Sequence, residues 1–218
     1  LYYIDYFVKI MNQKNSLGLN SCFLDLNDPI QLFKVWMDEA KKTEPNDPNA
    51  LSLATADKKG IPSVRIVLLK DFGKDGFVFY TNLDSQKSRA LKENPKVEMC
   101  FYWKSLLRQV RVSGPISKIR DEEADKYFNT RPYNSKIGAW ASKQSSVLKD
   151  REQLKKSIEK YQQKYSDKED VPRPDHWSGW NLSPTNIEFW LEEENRIHER
   201  LLYTKNQDET WSQSLLSP

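Results

Sequence analysis

The sequence is poor in the residues that most often do chemistry by themselves. It holds two histidines, His176 and His198, among 218 residues. A metal site built from several histidine ligands is therefore excluded. Its two cysteines, Cys22 and Cys100, stand at no metal-binding or redox spacing, and such sparse use suits a reduced, cytoplasmic compartment. Glycine is scarce, with seven residues, and no glycine-rich dinucleotide fingerprint, Walker loop or nucleophile elbow is present. No apolar run reaches the length of a membrane span, and no secretory signal is visible. Charge is nearly balanced, with 34 Lys and Arg against 31 Asp and Glu for a net +3, too little to imply nucleic acid.

What is present is material for a core. Hydrophobic residues make up 38% and aromatics 12% of the chain, with seven tryptophans, a composition that argues against disorder. The length suits one domain of ordinary to large size or two small ones.

The stretch Pro62–Pro95 organises the rest. SVRIVLLK alternates and is rich in β-branched residues, which predicts a half-buried strand. DFGKDG predicts a turn, and GFVFYTN the strand that returns to pair with the first. Ser85 then opens a helix ending before Asn94-Pro95. Arg65 and Lys70 flank the first strand's apolar middle, and Lys87 lies in the helix's first turn beside Ser85 and Ser88. Free N–H groups, hydroxyls and cations together suit a phosphate. The plainer reading is a basic hairpin on a solvated surface.

Residues 1–27 have no clear period and are expected to form an arm of uncertain structure. Asp28 and Pro29 predict a helix start, with Leu32, Phe33, Trp36, Met37 and Ala40 on its apolar face. ALSLATA, KVEMCFYW and RQVRVSGPISKI are predicted strands, the last bent at Gly114-Pro115. Gln109 and Arg111 share one of its faces. Asp121 is expected to cap a helix that ends at Arg131-Pro132, and Asp150 to cap an amphipathic one. Between them Tyr127, Arg131, Ser135, Gln144, Ser145 and Ser146 form a phosphate-compatible cluster, although capping and turns recruit the same residue types. The segment DKEDVPRPDHW reads as a connector. In NIEFWLEEENRIHERLLYTK, strand, turn, strand, the second strand is expected to carry Arg196, His198 and Arg200 on one face. Such a row repels itself unless it meets an anion or polar ligand; the alternative is an edge strand protected by charge. TWSQSLLSP is a candidate last strand. Strands before and after a helical insert at about 121–166, without a βαβ rhythm, predict a mainly β chain with peripheral helices, an antiparallel barrel of the α+β class.

With these residues assembled, the chain resembles the pyridoxine/pyridoxamine 5′-phosphate oxidase family from about Asp28 onward. The likeness is carried by RIVLLK at 65–70, FYTNLDSQKS at 79–88, WKSLLRQVRVSGP at 103–115, YFNTRPYNSKIGAWASKQSS at 127–146, IEFW at 187–190 and NRIHER at 195–200. The resemblance implies an FMN-binding split β-barrel over 28–218, working as a homodimer with active sites at the subunit interface. It implies FMN contacts at Arg65, Ile66, Val67, Leu68, Leu69, Lys70, Tyr80, Thr81, Gln86, Lys87, Gln109, Gln144, Ser145, Trp190 and Arg200. Arg65, Lys87 and Ser145 would hold the FMN phosphate. Lys70, Tyr127, Arg131 and Ser135 would take the substrate phosphate, and Arg196 and His198 would cover the pyridine ring. The implied reaction is oxidation of pyridoxamine or pyridoxine 5′-phosphate to pyridoxal 5′-phosphate, by hydride transfer from C4′ to flavin N5. Dioxygen then reoxidises the flavin to give hydrogen peroxide.

The chain departs from the family pattern in four places. Gln86 stands where an arginine is usual, Leu191-Glu192-Glu193-Glu194 replaces a Gln-Gly-containing segment, Leu215-Leu216-Ser217-Pro218 replaces Arg-Leu-Ala-Pro, and the arm before Asp28 matches poorly. The loss of a cation at Gln86 predicts weaker FMN binding. The alternative is a split-barrel protein that binds FMN or pyridoxal 5′-phosphate without efficient turnover.

Overall fold

The structure, a computed structural model, describes residues 13–166 and 171–218. Most of the aromatic N-terminal segment, and part of the connector before Trp177, lie outside them.

Among the described residues ten strands form one curled antiparallel sheet: β1 (Ala50–Ala56), β2 (Pro62–Leu68), β3 (Asp71–Gly73), β4 (Gly76–Asn82), β5 (Lys96–Trp103), β6 (Arg108–Lys118), β7 (Trp177–Leu182), β8 (Asn186–Leu191), β9 (Glu199–Lys205) and β10 (Trp211–Leu215). The main path runs β10-β9-β8-β6-β5-β1-β2, and a branch β3-β4-β7 joins it at β6. β6 makes this possible by serving both limbs. Arg108–Ser113 pairs with β8, and Ile116–Lys118 pairs with β7. The bend between them falls at Gly114, where a Cβ would lie 2.1 Å from the Ser183 carbonyl oxygen. Only glycine permits that approach.

Among the described residues five α-helices decorate the sheet: α1 (Pro29–Thr43), α2 (Gln86–Glu93), α3 (Asp121–Asn129), α4 (Tyr133–Ala141) and α5 (Arg151–Lys164). Asp28, Ser85 and Asp150 each cap one through the side chain. Asp121 is not a cap; Arg120 holds that position and Asp121–Glu123 fill the first turn, where acidic groups suit the helix dipole.

The core sits between α1 and the sheet. Phe33 is buried edge-on against Phe72, Phe77 and Phe101 at 4.8–5.1 Å. One helix residue thus ties β3, β4 and β5 together. Trp36 meets Phe189 at 5.1 Å, and each such aromatic contributes about 2–3 kcal/mol by burial. The segment after residue 12 packs here too, with Phe23 fully buried and Trp36 Nε1 donating to the Cys22 carbonyl (2.7 Å).

Several further expectations are corrected. β2 and β4 are not a paired hairpin: β2 pairs with β1, and β4 with β3 and β7. The segment Asp71–Gly73, read as a turn, is itself a strand. WSGWNL, not foreseen as a strand, is β7. Finally, Arg196, His198 and Arg200 do not share one strand face. Glu194–Arg196 is a 3-10 turn with Asn195 at φ 55° and Arg196 at φ 62°, and β9 begins only at Glu199. Two successive left-handed residues break the two-residue alternation.

Candidate functional site

A cleft of about 550 Å³ opens where β2, the end of β4, the start of α2 and the loop after α4 converge. It is lined by Arg65, Ile66, Val67, Leu68, Lys70, Tyr80, Thr81, Gln86, Lys87, Gln144 and Ser145, together with Ser63 and Val64. Leu69 is the exception within its run; its side chain is buried in the core. The apolar side chains Val64 and Ile66 point outward, 67% and 65% exposed, so this strand is not half-buried in the sense its sequence implied.

The electrostatics of the cleft are unusual. Lys87 is buried, and its Nζ donates to Thr81 Oγ1 (3.0 Å), Gln144 Oε1 (3.0 Å) and Ser85 Oγ (3.3 Å). All three partners are neutral. Burial pushes the ammonium down to about 8, with the Arg65 charge adding to the effect. Arg65 folds back onto β1 and β2, donating to Thr55 Oγ1 (2.8 Å), the Leu53 carbonyl (3.1 Å) and Ser63 Oγ (2.5 Å). It too is held below its usual value by burial. Neither cation has a carboxylate partner among the described residues. Two neighbouring desolvated cations with only neutral support suit an anion between them. Gln86 N donates to Ser145 Oγ (3.2 Å), which ties the loop after α4 to the N-terminus of α2. These donors fit a phosphate ester such as the one FMN carries.

A second set of cations lies past Tyr80. Lys70 and Tyr127 line a cleft of about 380 Å³, and Arg131 and Ser135 line another of about 340 Å³. Tyr80 borders both of these and the first cleft. Its ring stacks on Tyr127 at 4.0 Å and on Trp177 at 5.2 Å, and burial, with Tyr127 beside it, pushes its hydroxyl up to about 12. Arg131 has a buried Nη1 with no hydrogen-bond partner, and burial holds it below its usual value.

The remaining predicted residues lie elsewhere in the chain. Gln109, Trp190 and Arg200 stand opposite one another across β6, β8 and β9. None lines the first cleft. His198 packs against Trp190 at 4.7 Å, and its Nδ1 accepts from Glu193 N (3.2 Å). Arg196 is exposed in its turn. Arg200 is held by Glu188, through Nε (2.8 Å) and Nη2 (2.7 Å). Glu188 also takes Arg111 Nη1 (3.1 Å), and Arg111 continues to Glu98 (2.5 Å).

Glu188, Ser63, Thr55 and Trp177 were missed in the sequence. Ser63 stands two residues before Arg65 on the same strand face, and Glu188 is a lone carboxylate among apolar strand residues; both signals were legible. Thr55 reaches Arg65 only through the β1–β2 register, which no linear pattern reveals.

Residues 37–165 match the family model described as pyridoxamine 5′-phosphate oxidase, and residues 177–218 match the one described as pyridoxine 5′-phosphate oxidase C-terminal dimerisation region. The chain is 67% identical to a pyridoxine/pyridoxamine 5′-phosphate oxidase of Pelagibacter ubique, over 95% of this chain and 100% of that one. It is 48% identical to a protein of the same name from Chelativorans, over 90% and 93%. Among solved structures it is similar to PhzG from Burkholderia lata in complex with tetrahydrophenazine-1-carboxylic acid, with a TM-score of 0.84 and 29% identity over 94% of this chain and 100% of that one. A pyridoxamine 5′-phosphate oxidase-related, FMN binding protein from Nostoc punctiforme shares the split-barrel fold, with a TM-score of 0.71 and 17% identity over 88% and 98%.

Proposed function

The chain belongs to the pyridoxamine 5′-phosphate oxidase family, and on that premise we propose that it oxidises pyridoxamine and pyridoxine 5′-phosphates to pyridoxal 5′-phosphate with FMN as cofactor. The observation that carries this reading is the pair of anion-ready sites on either side of Tyr80: Arg65 with Lys87, and Arg131 with its unpartnered Nη1. A phosphorylated cofactor and a phosphorylated substrate, ring against ring, require two such sites.

Arg65, Lys87 and Ser145 hold the cofactor phosphate, and the β2 segment from Arg65 to Lys70 follows the rest of it with Tyr80, Thr81, Gln86 and Gln144. When bound, FMN supplies the hydride acceptor, and dioxygen takes the electrons onward to hydrogen peroxide. Lys70, Tyr127, Arg131 and Ser135 take the substrate phosphate, and so set the distance of C4′ from the flavin. Arg196 and His198 cover the pyridine ring. Arg200, aimed by Glu188, favours negative charge near the flavin ring system beside Gln109 and Trp190.

Gln109, Trp190 and Arg200 lie outside the first cleft, so the working unit is a homodimer in which a second copy completes each site. The exposed Val64 and Ile66 beside the cleft, and the match to a dimerisation region over 177–218, support this. No helix among the described residues is long and apolar enough to cross a membrane. Two cysteines, both unpaired, suit a reduced compartment, and on that ground we propose a cytoplasmic protein.

The test is the visible spectrum of the FMN-loaded protein under anaerobic conditions. Pyridoxamine 5′-phosphate bleaches the oxidised flavin band and air restores it. A flavin that stays oxidised would instead support a binding protein without turnover.

A further inference from the structure

Arg131 is held by aromatic faces where a carboxylate would be usual. Its guanidinium carbon lies 4.7 Å from the Trp177 ring centroid and 5.5 Å from that of Phe128. It forms no ion pair with the described residues. A carboxylate would occupy its N–H edge and cancel its charge. A ring holds the guanidinium by its face and leaves the edge free for an incoming anion.

Trp177 is itself fixed from several sides. It is buried, stands opposite Asn82 in the β4–β7 ladder, and its carbonyl accepts from Arg173 Nη1 (2.8 Å). Its ring meets Phe128 edge-on at 5.0 Å and lies parallel to Tyr80. Gly179 makes room for this arrangement, since a Cβ there would come within 2.6 Å of Ile119 Cδ1 and 3.0 Å of Tyr80 Cε1. Through Tyr80 the same cluster also seats Tyr127.

We propose that Trp177 is a positioning residue that presents Arg131 edge-first to the substrate phosphate, and that this sets the preference for phosphorylated over unphosphorylated substrate. The inference rests on reading Arg131 as a substrate-phosphate ligand. Removal of the ring leaves the cation free to turn or to seek water, so the phosphate loses its pre-oriented partner while the flavin site keeps its own cations.

The experiment compares FMN-loaded wild type, Trp177→Leu, Trp177→Phe and Arg131→Leu. KM and kcat are measured for pyridoxamine 5′-phosphate and for pyridoxamine, and binding of pyridoxal 5′-phosphate is followed by its absorption. Trp177→Leu raises KM for the phosphorylated substrate about tenfold or more, with kcat within a few-fold. It weakens pyridoxal 5′-phosphate binding by a similar factor, and Trp177→Phe falls between. An unchanged KM, or an equal loss on both substrates, overturns the proposal. If Trp177→Leu does not fold, Trp177→Phe decides by the same criteria. Arg131→Leu separates the two levels. If that variant keeps the phosphate preference, the reading of Arg131 fails; if it loses the preference while both Trp177 variants keep it, only the role of Trp177 fails.

Discussion

Lys87 predicts a protein whose cofactor-free form is made less stable by its own binding site. Its ammonium is buried among neutral acceptors and titrates at about 8 instead of 10.5. At about 1.4 kcal/mol per pH unit, the charged lysine costs the folded state at most about 3 kcal/mol at neutral pH. Lys87→Met removes that cost but leaves Thr81, Ser85 and Gln144 without their shared donor, which returns about 1–2 kcal/mol. The FMN-free variant is thus more stable than wild type by about 1–2 kcal/mol at pH 7. Because the folded pKa lies below the unfolded one, the unfolded chain binds more protons between about pH 8 and 10.5. Wild-type stability therefore gains from this group as pH rises through that window, and the penalty is fully present below it. The variant lacks the gain. FMN affinity moves the other way: losing a charge-assisted bond of about 1.5–3 kcal/mol weakens binding by roughly 10–150-fold. Chemical denaturation of the FMN-free forms at pH 7 and pH 10, with flavin fluorescence titration, tests both halves. A variant less stable at pH 7, with the same pH response as wild type, would refute the reasoning.

Gly114→Ala forces a Cβ against the Ser183 carbonyl and destabilises the fold by about 2 kcal/mol or more, read as a lower urea midpoint. Gln86→Arg adds a cation to the cleft and tightens FMN binding by about tenfold in fluorescence titration; an unchanged affinity would mean that the side chain at this position turns away from the phosphate.

The legibility of the chain followed the range of the interactions. Local chemistry was readable: Asp28, Ser85 and Asp150 cap helices because an oxygen two or three residues away satisfies an N–H. Strand periods were readable as well, and the Gly114-Pro115 bend sits where β6 changes partner. Strand partners were not, since β2 and β4 look like a hairpin in sequence, while the short β3 intercepts the return and pairs with β4 instead. The face shared by Arg196, His198 and Arg200 failed for a related reason: alternation says nothing about where a strand begins, and Asn195 with Arg196 takes a left-handed turn that only backbone geometry discloses. Of the site, the cations of the first cleft were visible as an anion-binding cluster, and the neutral groups supporting them largely were not.

β6 ties the two limbs of the barrel into one cooperative unit, because neither limb opens without breaking a ladder that the other shares. The loop groups proposed above to meet cofactor and substrate are carried differently. Gln144 and Ser145 sit in the loop between α4 and α5, and Arg196 and His198 in the turn before β9, all outside the ladders. The ladders can therefore stay closed when these loops move, so that ligand exchange calls for local opening of the loops and no separation of the strands.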